Sequence, residues 1–371
     1  MYTLSAAFPF EQSSVRCYKN LLQMVKFICF VTGFLFSLIQ LQAQDVKDSI
    51  YHSKMAAPGT KMIAVHHGKY QVFTQKLGSG KAHLLLLHGG PENTHEYFEN
   101  FPQQLKQAGV TVYFYDQLGS YFSDTPDDST IWNIARFVEE VEEVRKGLGI
   151  DRFYILGHSW GGMLAELYAA KYGQHLKGLI LSNIPGFFAQ DAKYLNVIID
   201  SMDGVVRHQA ALLPQFQNNK AQIDSISKQL HLTDTSVHKA LARQYSKAVD
   251  SLFGRTMFYR KGGKMAEPLV RSFKHTRFYS LEKYNFNPFG ANYQAALQQI
   301  KTPTLLIGGK NDFVRPEGYP AVKTMMTKAK VRVYLSPTGA HFTMWDDAEN
   351  YFKELRRFID EVEGGNFNPA K

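Results

Sequence analysis

Short, nearly uninterrupted apolar runs recur along the chain: His83-Leu84-Leu85-Leu86-Leu87, Val110 to Tyr115, Phe153 to Leu156, Leu176 to Ser182, Thr302 to Ile307 and Val331 to Leu335. Runs of this length without polar alternation predict strands buried on both faces of a parallel sheet. Between them lie segments with helical spacing, from about Tyr97 to Gln107, Ile131 to Lys146, Met163 to Tyr172 and Asp347 to Val362. Ahead of them, Lys61 to His66 and Tyr70 to Lys76 flank Gly68 as the two arms of an antiparallel hairpin. His66 and His67 point to opposite faces of such a strand, which argues against a shared metal. The alternation predicts an α/β fold, a mostly parallel sheet with helices on both faces.

The rhythm breaks between about Gly186 and Gln299. This stretch has no apolar strand run, but it holds helix-like segments at Ala221 to Leu230 and Ser236 to Leu252. An aromatic row follows: Phe253, Phe258, Tyr259, Phe273, Phe278, Tyr279, Tyr284, Phe286 and Phe289. It is too long for one loop and reads as an inserted helical cap, residues 186–299, between two parts of a core at 44–185 and 300–371. The aromatics would line a substrate pocket or form the cap's own small core. Gly364 onward reads as a frayed tail.

The chemistry concentrates where strands end. Phe153 to Leu156 runs into Gly157-His158-Ser159-Trp160-Gly161, a G-x-S-x-G turn between strand and helix. A serine there is held in a strained backbone conformation, and the flanking glycines give it room. His88-Gly89-Gly90-Pro91 closes an earlier strand, and its glycine backbone can approach a reacting oxygen. The N–H groups of Gly90 and Trp160 are the candidate oxyanion hole. Asp312 and His341 each lie a few residues past a late strand, where functional groups of open α/β sheets gather. The order Ser159, Asp312, His341 is that of an α/β-hydrolase triad of nucleophile, orienting acid and general base. Asp116 comes too early in the chain for the acid and reads as a turn-organising carboxylate. Neither a cofactor nor a metal is required by this chemistry.

Composition adds limits. With 44% hydrophobic and 20% charged residues, the 371-residue chain has material for one large globular domain with an insertion. The net charge of +9 is spread without a like-charge block, so no nucleic-acid partner is expected. Phe27 to Gln44 carries no charge, follows Lys26, and includes the small residue Ala43. Residues 1–43 therefore read as a cleavable signal peptide, with the rest exported and free of stable membrane association; the dense apolar part, Phe27 to Ile39, is short for a bilayer span. Both cysteines, Cys17 and Cys29, fall within it, so no disulfide is expected afterwards.

The stretches His88-Gly89-Gly90-Pro91, Asp116-Gln117-x-Gly119-Ser120, Gly157-His158-Ser159-Trp160-Gly161-Gly162 and Gly339-Ala340-His341-Phe342-Thr343-Met344-Trp345 resemble the prolyl aminopeptidase (proline iminopeptidase) family. The resemblance spans roughly Val65 to Ile359, strong in the sheet and weak in the cap. It implies release of an N-terminal residue, commonly proline, from short peptides or amides, with cap glutamates holding the free amine. The chain departs from the family pattern at Glu92 and Tyr121, where glycines are usual, and no amine-binding glutamate motif is recognisable around Asn285 to Phe289. Glu92, Glu267 and Glu282 are candidates to replace it. The alternatives are an esterase or amidase for small hydrophobic acyl groups, and a hydrolase-fold binding protein without turnover.

Overall fold

Each of the six apolar runs and both hairpin arms forms a strand of one sheet, in the computed structural model that describes residues 49–184 and 265–370, apart from residues 278, 285, 287, 289, 313 and 315. Residues 1–57 form a separate unit, whose described part is a helix over residues 49–55. The sheet belongs to the second unit, Pro58–Lys371.

The strands are β1 (Thr60–Val65), β2 (Tyr70–Leu77), β3 (Ala82–Leu87), β4 (Val110–Tyr115), β5 (Phe153–His158), β6 (Leu176–Ser182), β7 (Thr304–Gly309) and β8 (Val331–Ser336). Their order is β1-β2-β4-β3-β5-β6-β7-β8. β1 pairs antiparallel with β2, and β2 antiparallel with β4. The pairs from β4 through β3 to β8 are all parallel. Parallel pairing leaves the C-terminal ends of β3, β5, β6, β7 and β8 along one edge, where a binding crevice forms in open sheets of this kind.

The two-residue strand period sorts the apolar side chains into two cores. Leu85, Leu87, Ile155, Leu179, Leu181 and Leu306 pack on one face, and Leu84, Leu86, Leu156, Ile180, Leu305 and Ile307 on the other. α1 (Phe101–Leu105) and α9 (Ala348–Glu363) pack on the second face, α2 (Ile134–Leu148) and α3 (Trp160–Tyr172) on the first. α2 starts later than spacing alone predicts, because the Asn133 side chain accepts from Arg136 N–H at 2.9 Å and so caps the helix there. Gly149, at φ 65°, ends it in the left-handed conformation.

Two expectations need correction. The helix expected from Tyr97 to Gln107 is broken into a 3-10 turn at His95–Phe98, α1, and a second 3-10 turn at Lys106–Ala108. Pro102 has no N–H to donate and is tolerated only in a first turn, so the helix restarts beside it. Nor is the C-terminal end frayed. Phe367 is buried edge-to-face on Phe358 at 5.0 Å, and Arg332 Nη2 donates to the Asn368 carbonyl at 2.6 Å.

Between β6 and β7 the described part of the insertion is helical: α4 (Glu267–His275), α5 (Tyr279–Tyr284) and α6 (Tyr293–Gln299), followed after β7 by α7 (Tyr319–Met325). Ala221 to Leu230 and Ser236 to Leu252 lie outside the described residues, as do Phe253, Phe258, Tyr259, Phe278 and Phe289. The aromatics that are described pack onto the core. Phe273 meets Phe342 at 5.6 Å, Tyr284 stacks on Trp132 at 6.0 Å, and Phe286 contacts Phe137 at 5.3 Å and Trp160 at 5.6 Å. α4 is tied to the turn below it through Glu96, whose carboxylate meets Arg271 Nε at 2.9 Å and His275 Nδ1 at 2.6 Å. Burial, the largest single influence, raises the Glu96 pKa; the hydrogen bonds from His275 and Thr94 and the attraction of the His275 and His95 rings together outweigh it and hold it below the ordinary value.

Glu166, on α3, is buried, and desolvation pushes its pKa from 4.5 up to about 8. The folded state therefore holds this proton where the unfolded chain releases it, so stability falls as pH rises from 4.5 to about 8. Glu166→Gln removes that titration. Its melting temperature should exceed that of the wild type by a margin that widens by roughly 5–10 °C from pH 4.5 to 8, followed by calorimetry; a constant margin would contradict the assignment.

Candidate active site

Ser159 lies between the last residue of β5 and the first of α3, with φ 54° and ψ −123°. That conformation is costly for a residue with a side chain and persists only where the surroundings enforce it. Here backbone packs directly on backbone. A Cβ on Gly157 would lie 2.1 Å from the Gly161 carbonyl oxygen, and one on Gly161 would lie 2.2 Å from the Leu87 carbonyl oxygen. Ser159 N–H donates to the Ser182 carbonyl at 3.0 Å, and the Ser159 carbonyl accepts from Gly162 N–H at 2.9 Å. Trp160 is the first residue of α3, so its N–H has no intrahelical acceptor.

Asp312 follows β7 and His341 follows β8, and the fold brings them together. His341 Nδ1 lies 2.9 Å from Asp312 Oδ1 and 3.1 Å from Oδ2. A carboxylate only accepts, so the ring proton sits on Nδ1 and the lone pair of the neutral ring on Nε2. Asp312 is oriented in turn. Val314 N–H donates to its Oδ1 at 3.1 Å, and Asn183 Nδ2 donates to its Oδ2 at 2.7 Å. Asn183, just beyond β6 at φ 51°, also reaches the Ala340 carbonyl at 2.9 Å and Thr343 Oγ1 at 3.1 Å. Its position at a strand's C-terminal end was the only signal for it in the sequence.

The elbow side of this pair is reached through His158. Its Nε2 lies 2.8 Å from the His341 carbonyl oxygen, and the two rings are 4.8 Å apart. On the other side, the turn after β3 packs against the elbow, since a Cβ on Gly89 would be 3.0 Å from Ser159 Cβ. Gly90 adopts φ +113°, where a Cβ would lie 2.9 Å from the backbone nitrogens of Glu92 and Asn93. The stretch after β4 braces this turn. Gln117 N–H meets His88 Nε2 at 3.0 Å, so the His88 proton is on Nδ1, which donates to the Gly89 carbonyl at 2.9 Å. Gln117 Nε2 donates to the His88 carbonyl at 2.8 Å, while its Oε1 accepts from the Trp160 indole at 2.9 Å. One glutamine side chain thus ties Trp160 to His88, two residues ahead of Gly90.

Asp116 is buried and takes no part in the His341 pair. Its Oδ1 accepts from His95 N–H at 2.5 Å and lies 3.0 Å from His95 Nδ1. It organises the turn at His95–Phe98 as well as its own, which accepts Ser123 Oγ at the Asp116 carbonyl at 2.6 Å.

Of the three candidate glutamates, the side chains of Glu92 and Glu267 are described. Glu92 is buried at φ 66°, with its carboxylate accepting from Ser280 N–H at 2.7 Å. The Glu267 side chain is 67% exposed and ion-paired with Arg271 on the surface of α4. Glu92 is thus bonded to a residue far along the chain, and Glu267 to one a helical turn away. Glu282 lies on α5, with its side chain outside the described residues. Among the described residues there is no group of three metal-ligating side chains.

The strand order, the elbow after β5 and the paired acid and histidine after β7 and β8 define an α/β-hydrolase, and residues 82–348 match the alpha/beta hydrolase fold family. The chain is 34% identical to a proline iminopeptidase of Elizabethkingia meningoseptica over 315 residues, covering 81% of this chain and 97% of that protein. To a proline iminopeptidase of Chitinophaga pinensis it is 32% identical over 319 residues, covering 82% and 99%. The chain belongs to the proline iminopeptidase family and is a serine hydrolase of that family. The crystal structure of a Mycobacterium smegmatis proline iminopeptidase superposes with a TM-score of 0.62 at 20% identity, covering 83% of this chain and 100% of that one. An esterase from Exiguobacterium antarcticum gives 0.59 at 19%, covering 82% and 99%. At these identities the two structures share the fold.

Gly161→Ala tests the elbow packing. Its new methyl would meet the Leu87 backbone, which no side-chain rotation relieves, so a loss of roughly 1–3 kcal/mol in denaturant unfolding is expected. Unchanged stability would mean that the strand and helix are further apart.

Proposed function

We propose that this chain releases an N-terminal residue, of the proline type, from small peptides or amides by acyl transfer to Ser159. The observation that carries the proposal is the His341–Asp312 hydrogen bond at 2.9 Å, beside an elbow that holds Ser159 in a conformation serving exposure of its hydroxyl. In this reading His341 Nε2 takes the Ser159 proton as Oγ attacks the substrate carbonyl carbon. It returns the proton to the departing amine, and in the second half-reaction it activates a water that cleaves the ester. Asp312 keeps the imidazole in the tautomer this requires and stabilises its charged form. The N–H groups of Gly90 and Trp160 hold the oxyanion of each tetrahedral intermediate. The chain's own groups supply every proton transfer in this scheme.

One observation favours a second reading, an esterase or amidase for small hydrophobic acyl groups. Of the three glutamates considered for the substrate ammonium, Glu92 is engaged by Ser280 N–H and Glu267 by Arg271. A buried ammonium needs a carboxylate partner, and Glu267, exposed and paired with Arg271, does not offer one. The aminopeptidase reading therefore assigns amine recognition to the inserted segment at 186–299, as a cap over the strand ends. Export is part of the proposal and rests on the charge-free run Phe27 to Gln44 behind Lys26.

Two measurements test it. Ser159→Ala should lose turnover by at least about a thousandfold without a change in fold. The wild type should cleave proline 4-nitroanilide at least about a hundredfold faster than its N-acetylated form; equal rates would establish the esterase or amidase reading instead.

A further inference from the structure

We propose that Tyr97 and His158 form a proton-ordered strut that fixes the turn at Gly89 and Gly90 relative to the His341 backbone, and that both are positioning residues for acyl transfer. The inference rests on the serine-hydrolase reading and adds two residues that the triad and the oxyanion glycines do not include.

The direction of each bond follows from its acceptor. The His341 carbonyl can only accept, so the His158 Nε2 atom 2.8 Å away carries a proton and donates it. The ring is fully buried, and desolvation, followed by the neighbouring His341, holds its pKa well below the ordinary value. His158 is therefore neutral, and its Nδ1 carries a lone pair. The hydroxyl 3.2 Å from Nδ1 belongs to Tyr97, also buried, which must donate to it. That leaves Tyr97 Oη as the acceptor for Gly89 N–H at 2.5 Å. Every proton along this line is assigned, from Gly89 N–H to Tyr97 Oη, from Tyr97 O–H to His158 Nδ1, and from His158 Nε2–H to the His341 carbonyl.

The strut is anchored at its middle. The Tyr97 carbonyl accepts from Trp345 Nε1 at 2.7 Å, on α8 (Thr343–Asp346), just beyond His341. Its ring is held edge-to-face by Phe342 at 5.4 Å. One end sets Gly89, which packs on Ser159 and precedes the Gly90 N–H; the other sets the loop that carries His341. A displacement of the oxyanion donors relative to the imidazole weakens stabilisation that exists only in the transition state, so it lowers kcat more than it changes KM.

The test uses Tyr97→Phe, which keeps the packed ring and deletes only Oη, with His158→Ala and the double variant. Steady-state kinetics on proline 4-nitroanilide and a 4-nitrophenyl ester are run well below each variant's melting temperature. Amide hydrogen exchange at Gly89 is measured in parallel. Expected are a fall in kcat of about 10- to 100-fold on both substrates in Tyr97→Phe, KM within about twofold, and faster exchange at Gly89. The double variant should lose no more than the worse single one, because one strut is cut twice. Wild-type kcat in Tyr97→Phe alongside faster Gly89 exchange would overturn the proposal, as would losses that simply multiply in the double variant. Unchanged Gly89 exchange would show that the bond is not formed. If the wild type turned over neither substrate, the hydrolase reading would fail on its own, and the exchange data would still decide whether the strut exists.

Discussion

The rest of the site depends on a close backbone contact: β5 and α3 meet so tightly at Ser159 that only glycine fits two residues to either side. The Gly157 and Gly161 contacts would be sterically forbidden with any Cβ, so the strand-to-helix turn is set by main chain against main chain. The conformation at Ser159, which the residue would not choose alone, is thereby enforced. Because Gly161 abuts the Leu87 and His88 carbonyls, the same contact places the turn after β3 beside the elbow. Two of the three parts of the chemistry are thus fixed by excluded volume.

The third part, the acid and the imidazole, is fixed by hydrogen bonds instead. Asp312, His341 and Asn183 follow the ends of three strands and Thr343 opens α8, and the Asp312 oxygens, His341 Nδ1, Asn183 Nδ2 and Thr343 Oγ1 each have a partner among the others or the backbone. In a low-dielectric interior such a network favours one arrangement strongly, since breaking one bond leaves a buried group unpaired. His88 and Gln117 do the same for the turn after β3. The carboxyl edge of the sheet is therefore a polar layer laid over an apolar one. The strands below it are Leu and Ile on both faces, and catalytic chemistry begins where that pattern stops.

This boundary explains what the sequence reveals and what it hides. The strands were legible to within two residues or so because burial on both faces leaves an unbroken apolar run, and β4 and β6 match their runs from end to end. Ser159, Asp312 and His341 stood out because reactive side chains at strand ends are a local pattern, and the structure joins the last two. Tyr97 carries no such pattern, and Asn183 and His158 share only the strand-end position; their roles arise from partners far along the chain. The helix around Tyr97 was misread because Pro102 breaks a spacing that otherwise looks helical, and the tail because a single aromatic, Phe367, outweighs a polar, glycine-containing context. Glu267 looked available by residue type, yet Arg271 one helical turn away engages it.

The central claim is that one hydroxyl, one imidazole and two N–H groups converge on a single reacting carbon. The most direct measurement is a crystal structure of the enzyme after reaction with a small fluorophosphonate, whose tetrahedral phosphorus stands in for the carbon under attack. The account predicts phosphorus bonded to Ser159 Oγ, its oxygen within about 3 Å of both Gly90 and Trp160 nitrogens, and His341 Nε2 beside the serine oxygen. An adduct on another residue, or a phosphoryl oxygen turned away from both nitrogens, would contradict it.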